Sequence, residues 1–371
     1  RTFDLRNGDI LCMKPGCQET FDHCIKPVAK FNDPRISVTL RHIDVPKTDF
    51  ILNRATGTCT LIPSSLKLEP GIVVNAYPLD TRLFAVGPES RAFISRERPP
   101  MITSPLLKSN IQKAIRRGYT DIAIYTMLHM IHNGFAIDLL RRLTIIAFED
   151  VGFQMSGYCT LMWYYIAISS NSYKLQVNDV QWIVSWIREV CASRQYRVLA
   201  IQSIPHEKDS DVPPNATKMV ENTLQLGVCE FAVKARMVYG GFDGEIRMLN
   251  LLAPCVHKVE AQLKKGVLTI AINNNDNSNV QWDEISYTLE ICPAAIDFHC
   301  YPSMPGRISQ YMSKPALTQD EVKQYIWNFD SKVNVRVPNE DCGGLDKNVW
   351  ERQVKPQCDQ FRKYVQEKVI H

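Results

Sequence analysis

Residues 104–118 read Ser-Pro-Leu-Leu-Lys-Ser-Asn-Ile-Gln-Lys-Ala-Ile-Arg-Arg-Gly, and they contain the start, the apolar face and the end of one helix. Ser104 fits the N-cap position, and Pro105 fits the first helical position, where proline is well tolerated. The stretch ends on Arg116, Arg117 and Gly118, and basic residues followed by glycine are typical of a helix C-terminus. The sequence therefore predicts a helix here.

The helical pattern continues beyond this stretch. Four further helices are predicted, from Tyr119 or Thr120 to Asn133, from Asp138 to about Phe148, from Tyr158 to Ser169 and from Val177 to Ser193. Because the links between them are short, residues 104–204 are predicted to form a compact helical bundle.

The residues on either side of this bundle carry different patterns. Before it, the strand-like stretches are Thr58–Pro63, Gly71–Tyr77 and Thr81–Val86. After it, residues 205–216 are polar and proline-rich, which is typical of a linker.

Residues 217–371 predict a mixed α+β unit of unknown role. Its strand candidates are Val267–Ile272 and Trp282–Ile291. Thr318 and Glu321 form a capping box that opens a helix through Phe329. A final helix is predicted from Asn348 towards Val369, interrupted or kinked at Pro356.

Composition describes an ordinary globular protein. The 371 residues are 45% hydrophobic and 22% charged, and the net charge of +4 permits a nucleic-acid partner without requiring one. The twelve cysteines include no Cys-x-x-Cys pair, which favours reduced thiols in an intracellular compartment. The most apolar run, Leu161 to Ile168, is too short to span a bilayer, so no membrane partner is expected.

Residues 34–41, Pro-Arg-Ile-Ser-Val-Thr-Leu-Arg, alternate apolar and polar side chains with the period of a half-buried strand. The polar face carries Arg35 and Arg41, with the hydroxyls of Ser37 and Thr39 between them. This face suits a small dicarboxylate, because guanidinium groups prefer bidentate carboxylate partners. An ordinary exposed strand face explains the same spacing.

The segment from Leu5 to Ile43 resembles the C-terminal part of the AlkB family of iron(II)/2-oxoglutarate dioxygenases. The resemblance rests on Asn7-Gly8-Asp9-Ile10, on the run from Phe21 to Pro27, and on residues 34–41. It implies the end of a double-stranded β-helix, or jelly roll, and the oxidative dealkylation or hydroxylation of nucleic-acid bases.

The resemblance also implies a set of site residues. His23 would be an iron ligand, Arg35 and Arg41 would bind 2-oxoglutarate, and Ser37 and Thr39 would support it. The family's other two iron ligands, a His-x-Asp pair, would precede Leu5. Either the chain is a fragment or processed product, or the iron site is degenerate. The literal His-x-Asp at residues 42–44 follows the strand and is interpreted as a coincidence.

A second resemblance covers about residues 104–195. The stretches that carry it are Asn110–Gly118, Asp121–Tyr125, Arg141–Leu143 and Ala147–Gly152, which are similar to the C-terminal collar region of the RarA/MgsA group of AAA+ proteins. The resemblance implies subunit contacts, hence a homo-oligomer or larger assembly. ATP hydrolysis is not expected, since the sequence contains no Gly-x-x-x-x-Gly-Lys-Ser/Thr phosphate loop.

Two features of the helical region leave alternatives open. The basic doublets at 116–117 and 141–142 could contact phosphates, but pairing with helix ends or with acids such as Glu149 and Asp150 is favoured. His129 and His132 could form a metal pair, but placement in the core and at its rim is favoured.

These observations predict a multidomain α+β protein with a partial AlkB-like β domain over 1–103, a helical bundle over 104–204, a linker over 205–216 and a mixed unit over 217–371. The leading functional hypothesis is an iron(II)/2-oxoglutarate-dependent oxygenase acting on nucleic acid. The alternative is a non-catalytic assembly protein in which a degenerate oxygenase fold accompanies a collar-like module.

Overall fold

The computed structural model describes residues 48–63, 72–76, 81–94, 102–150, 155–170, 173–192, 227–239, 249, 282–312, 317–331 and 344–370. This part of the chain is a mixed α+β structure that is mostly helical. The jelly-roll segment predicted at 5–43, the linker at 205–216 and the strand at 267–272 lie outside the described residues. Among the described helices, none combines the length and the apolar character that crossing a membrane requires.

Four strands form one mixed sheet in the order β2-β1-β4-β3. They are β1 (Thr48–Asn53), β2 (Thr58–Pro63), β3 (Ile72–Ala76) and β4 (Thr81–Val86). β1 runs parallel to β4 and antiparallel to β2, while β3 is antiparallel to β4. Three of these strands confirm the sequence predictions, and the central strand β1 is the one that the sequence did not single out.

Within the described residues from 104 to 239, the chain after the sheet is helical. The helices are α1 (Ser104–Arg117), α2 (Thr120–His132), α3 (Ala136–Glu149), α4 (Met155–Ser169), α5 (Val177–Ala192) and α6 (Val228–Val238). The first five confirm the predicted helices to within a few residues at each end.

The predicted N-cap of α1 is wrong by one residue. Thr103 occupies the N-cap position, and the hydroxyl of Ser104 instead donates to Oδ2 of Asp138 at 2.6 Å. The predicted end is confirmed, since Gly118 follows α1 in the left-handed conformation with φ 70°.

The sheet and the helices share one hydrophobic core. α4 is fixed to the sheet by Trp163, whose indole N–H donates to the carbonyl of Phe50 at 2.9 Å. The hydroxyl of Thr160 likewise donates to the carbonyl of Gly57 at 2.8 Å. On α6, the ring of Phe231 packs edge-on against Phe50 with centroids 5.2 Å apart. Secondary structure changes at the predicted boundary between residues 103 and 104, but the core continues across it.

The strand predicted at Trp282–Ile291 is wrong. This stretch begins with a turn and continues as irregular chain that belongs to no strand. Its side chains do alternate, because Ile285, Tyr287 and Leu289 pack against the main core. The sequence pattern therefore identified which side chains face the core, but not whether this stretch pairs as a strand.

A second, smaller core lies among the last helices. α7 (Met304–Tyr311) is followed by α8 (Gln319–Ile326), which continues through a π-helical turn at Trp327–Ser331. The capping box of Thr318 and Glu321 is confirmed. The last described segment is helical from Lys347–Val349 through a π turn at Trp350–Val354, α9 (Lys355–Val365) and a π turn at Gln366–Ile370. The predicted interruption at Pro356 coincides with the change from the first of these π turns to α9.

Candidate functional site: a buried charge network around Asp297

The residues predicted to bind iron and 2-oxoglutarate lie outside the part of the chain that the structure describes. They are His23, Arg35, Ser37, Thr39 and Arg41, and their roles stay predictions. Among the described residues, no group of three or more His, Cys, Asp or Glu side chains is arranged to hold a metal ion.

The two histidines of α2 lie in the core and at its rim, which confirms the placement that the sequence favoured. His129 is buried. His132 stacks on Phe93 and Tyr287, with ring centroids 5.5 and 5.9 Å away, and its Nδ1 lies 3.1 Å from the Tyr287 hydroxyl. Burial lowers the pKa of His132, which favours a neutral, packed imidazole.

The strongest concentration of charge in the described residues lies at the C-terminal end of α1. Lys113 Nζ and Arg116 Nη1 both donate to the carbonyl oxygen of Ser331, at 2.6 and 2.5 Å. Arg117 Nη2 donates to the carbonyl of Asp330 at 2.5 Å and lies 3.2 Å from its Oδ1. The last carbonyls of a helix lack intrahelical donors and carry partial negative charge, so three cations from α1 satisfy the end of the helical segment 319–331.

Asp297 is the central anion of this network, and its side chain is fully buried. Its Oδ2 accepts from the hydroxyl of Ser331 at 2.8 Å and lies 3.4 Å from Lys113 Nζ. The same oxygen lies 3.1 Å from Nδ1 of His299, and Oδ1 accepts from the backbone N–H of His299 at 2.9 Å. Four donors therefore surround one carboxylate.

These contacts decide the ionisation of Asp297. Burial by itself would raise the pKa of this carboxyl, but the hydrogen bonds from His299 and Ser331 and the charge of Lys113 outweigh burial and hold the pKa well below its usual range. An ionised carboxylate only accepts hydrogen bonds, so Nδ1 of His299 must be the donor.

Lys113 is placed where its charge is costly. Burial, reinforced by the neighbouring charge of Arg116, lowers the pKa of Lys113 to about 8, and the carboxylate of Asp297 opposes this change. A buried ammonium is tolerated when it is paired and hydrogen-bonded, and both conditions are met here.

Arg116 extends the network to the end of α3. Its Nε pairs with the carboxylate of Asp150, and its Nη2 lies 3.6 Å from Oε2 of Glu149. Gln112 Nε2 donates to both carboxylates at 2.9 Å. The pairing predicted for this basic doublet is thus confirmed for Arg116, while Arg117 pairs with Asp330 instead.

α9 completes the network from the other side. Arg362 Nη2 pairs with the carboxylate of Asp330, and its Nε donates to the carbonyl of Ile296 at 3.2 Å. The network therefore joins α1 and α3 of the main core to α8 and α9 of the smaller core.

The surface end of the network is His299. Its side chain is 51% exposed, and its ring centroid lies 5.8 Å from that of Trp327. The other groups that bind Asp297 are buried and join helices, so His299 is the member of the network that meets the surface.

Sequence reasoning missed this network. No local motif of the sequence identifies Asp297, Lys113 or Ser331 as members of one site. One signal was available: Asn110, Lys113 and Arg117 are spaced three and four residues apart, which places them on one face of α1.

Comparisons with known proteins returned no match to any family model, to any curated protein or to any solved structure.

Proposed function

We propose that this chain contains the end of an AlkB-type iron(II)/2-oxoglutarate oxygenase that acts on nucleic-acid bases. The proposal is supported by the sequence of residues 5–43, where one histidine and two arginines occur at the mutual spacing of that family. Bound iron and 2-oxoglutarate would supply the oxidising chemistry.

The protein's own side chains would bind and orient these groups. His23 would donate an imidazole nitrogen to iron. Arg35 and Arg41 would pair with the carboxylates of 2-oxoglutarate, which orients the co-substrate, and Thr39 and Ser37 would add hydrogen bonds. Two further iron ligands are needed for a complete site, so the proposal requires a His-x-Asp pair upstream of residue 5.

The test is calorimetric titration of 2-oxoglutarate into anaerobic, iron(II)-loaded protein that includes the upstream sequence. Arg35→Ala should abolish measurable binding, because it removes one carboxylate partner. Arg352→Ala is a matched control, since Arg352 is exposed on the C-terminal helical segment, and it should bind like the wild type. No binding by the wild-type protein would refute the proposal.

A second function, subunit assembly without catalysis, is favoured by one specific observation. The basic doublet of α1 forms internal ion pairs, so it is not available to phosphates. Arg116 pairs with Asp150, and Arg117 pairs with Asp330. The internal use of Arg116 and Arg117 suits a scaffold better than a phosphate-binding surface at this helix end. This proposal rests on the collar resemblance of residues 104–195.

Assembly is tested on the full chain, because residues 282–296 cover part of the core of 104–195 and an isolated fragment would expose it. Ile137 is an exposed large apolar residue within the collar-like region, at 41% exposure. Ile137→Glu should shift the sedimentation coefficient towards the monomer, while Tyr311→Glu, outside the region, should not. A wild-type monomer at high concentration would contradict the proposal.

A further inference from the structure

Two cysteine thiols from different helices are in contact inside the main core. Sγ of Cys159 on α4 lies 3.3 Å from Sγ of Cys229 on α6, although the residues are 70 positions apart in the chain. Their exposures are 2% and 5%. A disulfide has a sulfur–sulfur distance of about 2.05 Å, so bond formation requires the two sulfurs to approach by only about 1.3 Å.

The surrounding contacts fix α6 against β1, α3 and α4. Phe231 of α6 packs against Phe50, and Tyr239, at the end of α6, packs against Tyr165 of α4 with ring centroids 5.5 Å apart. Arg236 of α6 donates from Nε to the hydroxyl of Thr144 at 3.2 Å. The thiol pair thus lies between helices that are already packed, and a covalent bond would not need to bring distant elements together.

A third thiol, Cys59 of β2, lies nearby but is differently placed. Its Sγ is 3.6 Å from the hydroxyl of Thr160. Burial raises the pKa of Cys59 to about 12, and the neighbouring Cys229 contributes to that rise. The Cys59 sulfur thus contacts a hydroxyl, whereas the sulfurs of Cys159 and Cys229 contact each other, so the geometry favours a bond between Cys159 and Cys229.

We propose that Cys159 and Cys229 form a reversible disulfide site that locks α6 onto α4 when the protein meets a peroxide. The reaction breaks two S–H bonds and forms one S–S bond. Hydrogen peroxide accepts the two electrons and two protons and leaves as two water molecules, and a dithiol reductant reverses the change. The site is independent of the proposed oxygenase and assembly functions.

The bond would constrain the unfolded chain, since it closes a long loop that contains residues 193–226. A cross-link that closes a long loop without native strain stabilises the folded state. Oxidised protein should therefore show a higher midpoint of thermal unfolding than reduced protein, by about 2 °C or more, and dithiothreitol should remove the difference.

The experiment treats the reduced full chain with hydrogen peroxide, alkylates the remaining thiols, and maps peptides by mass spectrometry without reduction. The expected product is one linked pair containing residues 159 and 229, two hydrogens lighter than the separate peptides. Cys159→Ala should lose this pair and the thermal shift. Cys358→Ala, at a buried thiol in the second core, should retain both.

The mapping on wild-type protein needs no variant to fold. Recovery of residues 159 and 229 as separate alkylated or overoxidised peptides would overturn the proposal. Linkage of either residue to Cys59, instead of to each other, would also overturn it.

Discussion

Two glycines contact tryptophans of α5 so closely that no side chain fits. A Cβ added to Gly157 would lie 2.3 Å from Nε1 of Trp186, and one added to Gly57 would lie 2.2 Å from Nε1 of Trp182. Gly57 also has a φ of +63°, which disfavours other residues. These contacts let α5 approach both the β1–β2 turn and α4.

Gly157→Ala is therefore expected to destabilise the protein, although alanine usually stabilises a helix interior relative to glycine by about 1 kcal/mol. Overpacking against Trp186 should make the net change a loss of about 1–3 kcal/mol in the free energy of unfolding. The matched control is Gly306→Ala in α7, where the new Cβ would meet only the end of the Gln319 side chain. Denaturant unfolding measures both, and a more stable Gly157→Ala would contradict the packing.

Lys113 should give the protein a distinctive dependence on pH. The pKa of Lys113 is about 8 in the folded state and close to its usual value, about 10.5, when unfolded. Between these values the unfolded chain binds more protons, so this group makes stability rise with pH. The unfolding free energy of wild type relative to Lys113→Met should therefore increase by about 3 kcal/mol from pH 7.5 to pH 10.5.

Comparison with the variant is needed because buried thiols titrate in the same range with the opposite effect. Burial raises the pKa of Cys292 to about 11, which makes stability fall as pH rises. If the difference in unfolding free energy between wild type and Lys113→Met does not change with pH, the lysine is not buried as described.

At the scale of elements, the irregular chain at 285–292 is hydrogen-bonded at its end by one side chain of α1. Asn110 is fully buried, and its Nδ2 donates to the carbonyl of Glu290 at 2.9 Å and to the hydroxyl of Thr126 at 2.8 Å. Its Oδ1 accepts from the backbone N–H of Cys292 at 2.9 Å. An amide side chain thus takes the place of a neighbouring strand.

Asn110→Ala should cost about 2–4 kcal/mol of unfolding free energy, since it leaves two backbone groups of the 290–292 stretch and one hydroxyl without these partners. Asn348→Ala on the exposed face of the last helical segment should change stability by less than about 0.5 kcal/mol. Chemical denaturation compares the two. Equal effects would indicate that the 285–292 stretch is not fixed by Asn110.

The elements predicted correctly are those whose signals are local. α1, α3 and α5 carry their own apolar period, α4 is a continuous apolar run, and α8 carries its capping box, so neighbours in the chain suffice. β1 was missed because its Asp49 is polar yet buried, paired with Arg82 of β4 at 2.7 and 2.9 Å. That pairing depends on the sheet.

The charge network could not be predicted for a related reason. Lys113 and Asp297 are distant in sequence, and only the folded chain brings them together. At residues 282–291 a strand was predicted that does not form. Alternating apolar and polar side chains show which residues face the core, but they do not show whether a neighbouring strand is present to pair with. The predicted oxygenase residues fall outside the described chain, so the resemblance alone supports them.

At the scale of the whole molecule, buried charge joins the two hydrophobic cores found in the part of the chain that the structure describes. The second core is formed by residues such as Met304, Ile326 and Trp350. The cations of α1 and α9 and the carboxylate of Asp297 fill the junction. Removing one member of a buried ionic network leaves the others unpaired, which is strongly destabilising. Substitutions in the junction should therefore disrupt the packing of the second core against the first.

Hydrogen exchange measured by mass spectrometry tests this claim most directly, by comparing wild type with Asp297→Asn and with the exposed control Asp320→Asn. The Asp297 variant should lose protection in residues 319–331 and 347–365, while α2 and α5 stay protected and the control matches wild type. Unchanged protection in those two segments of the Asp297 variant would contradict the claim that this network holds the cores together.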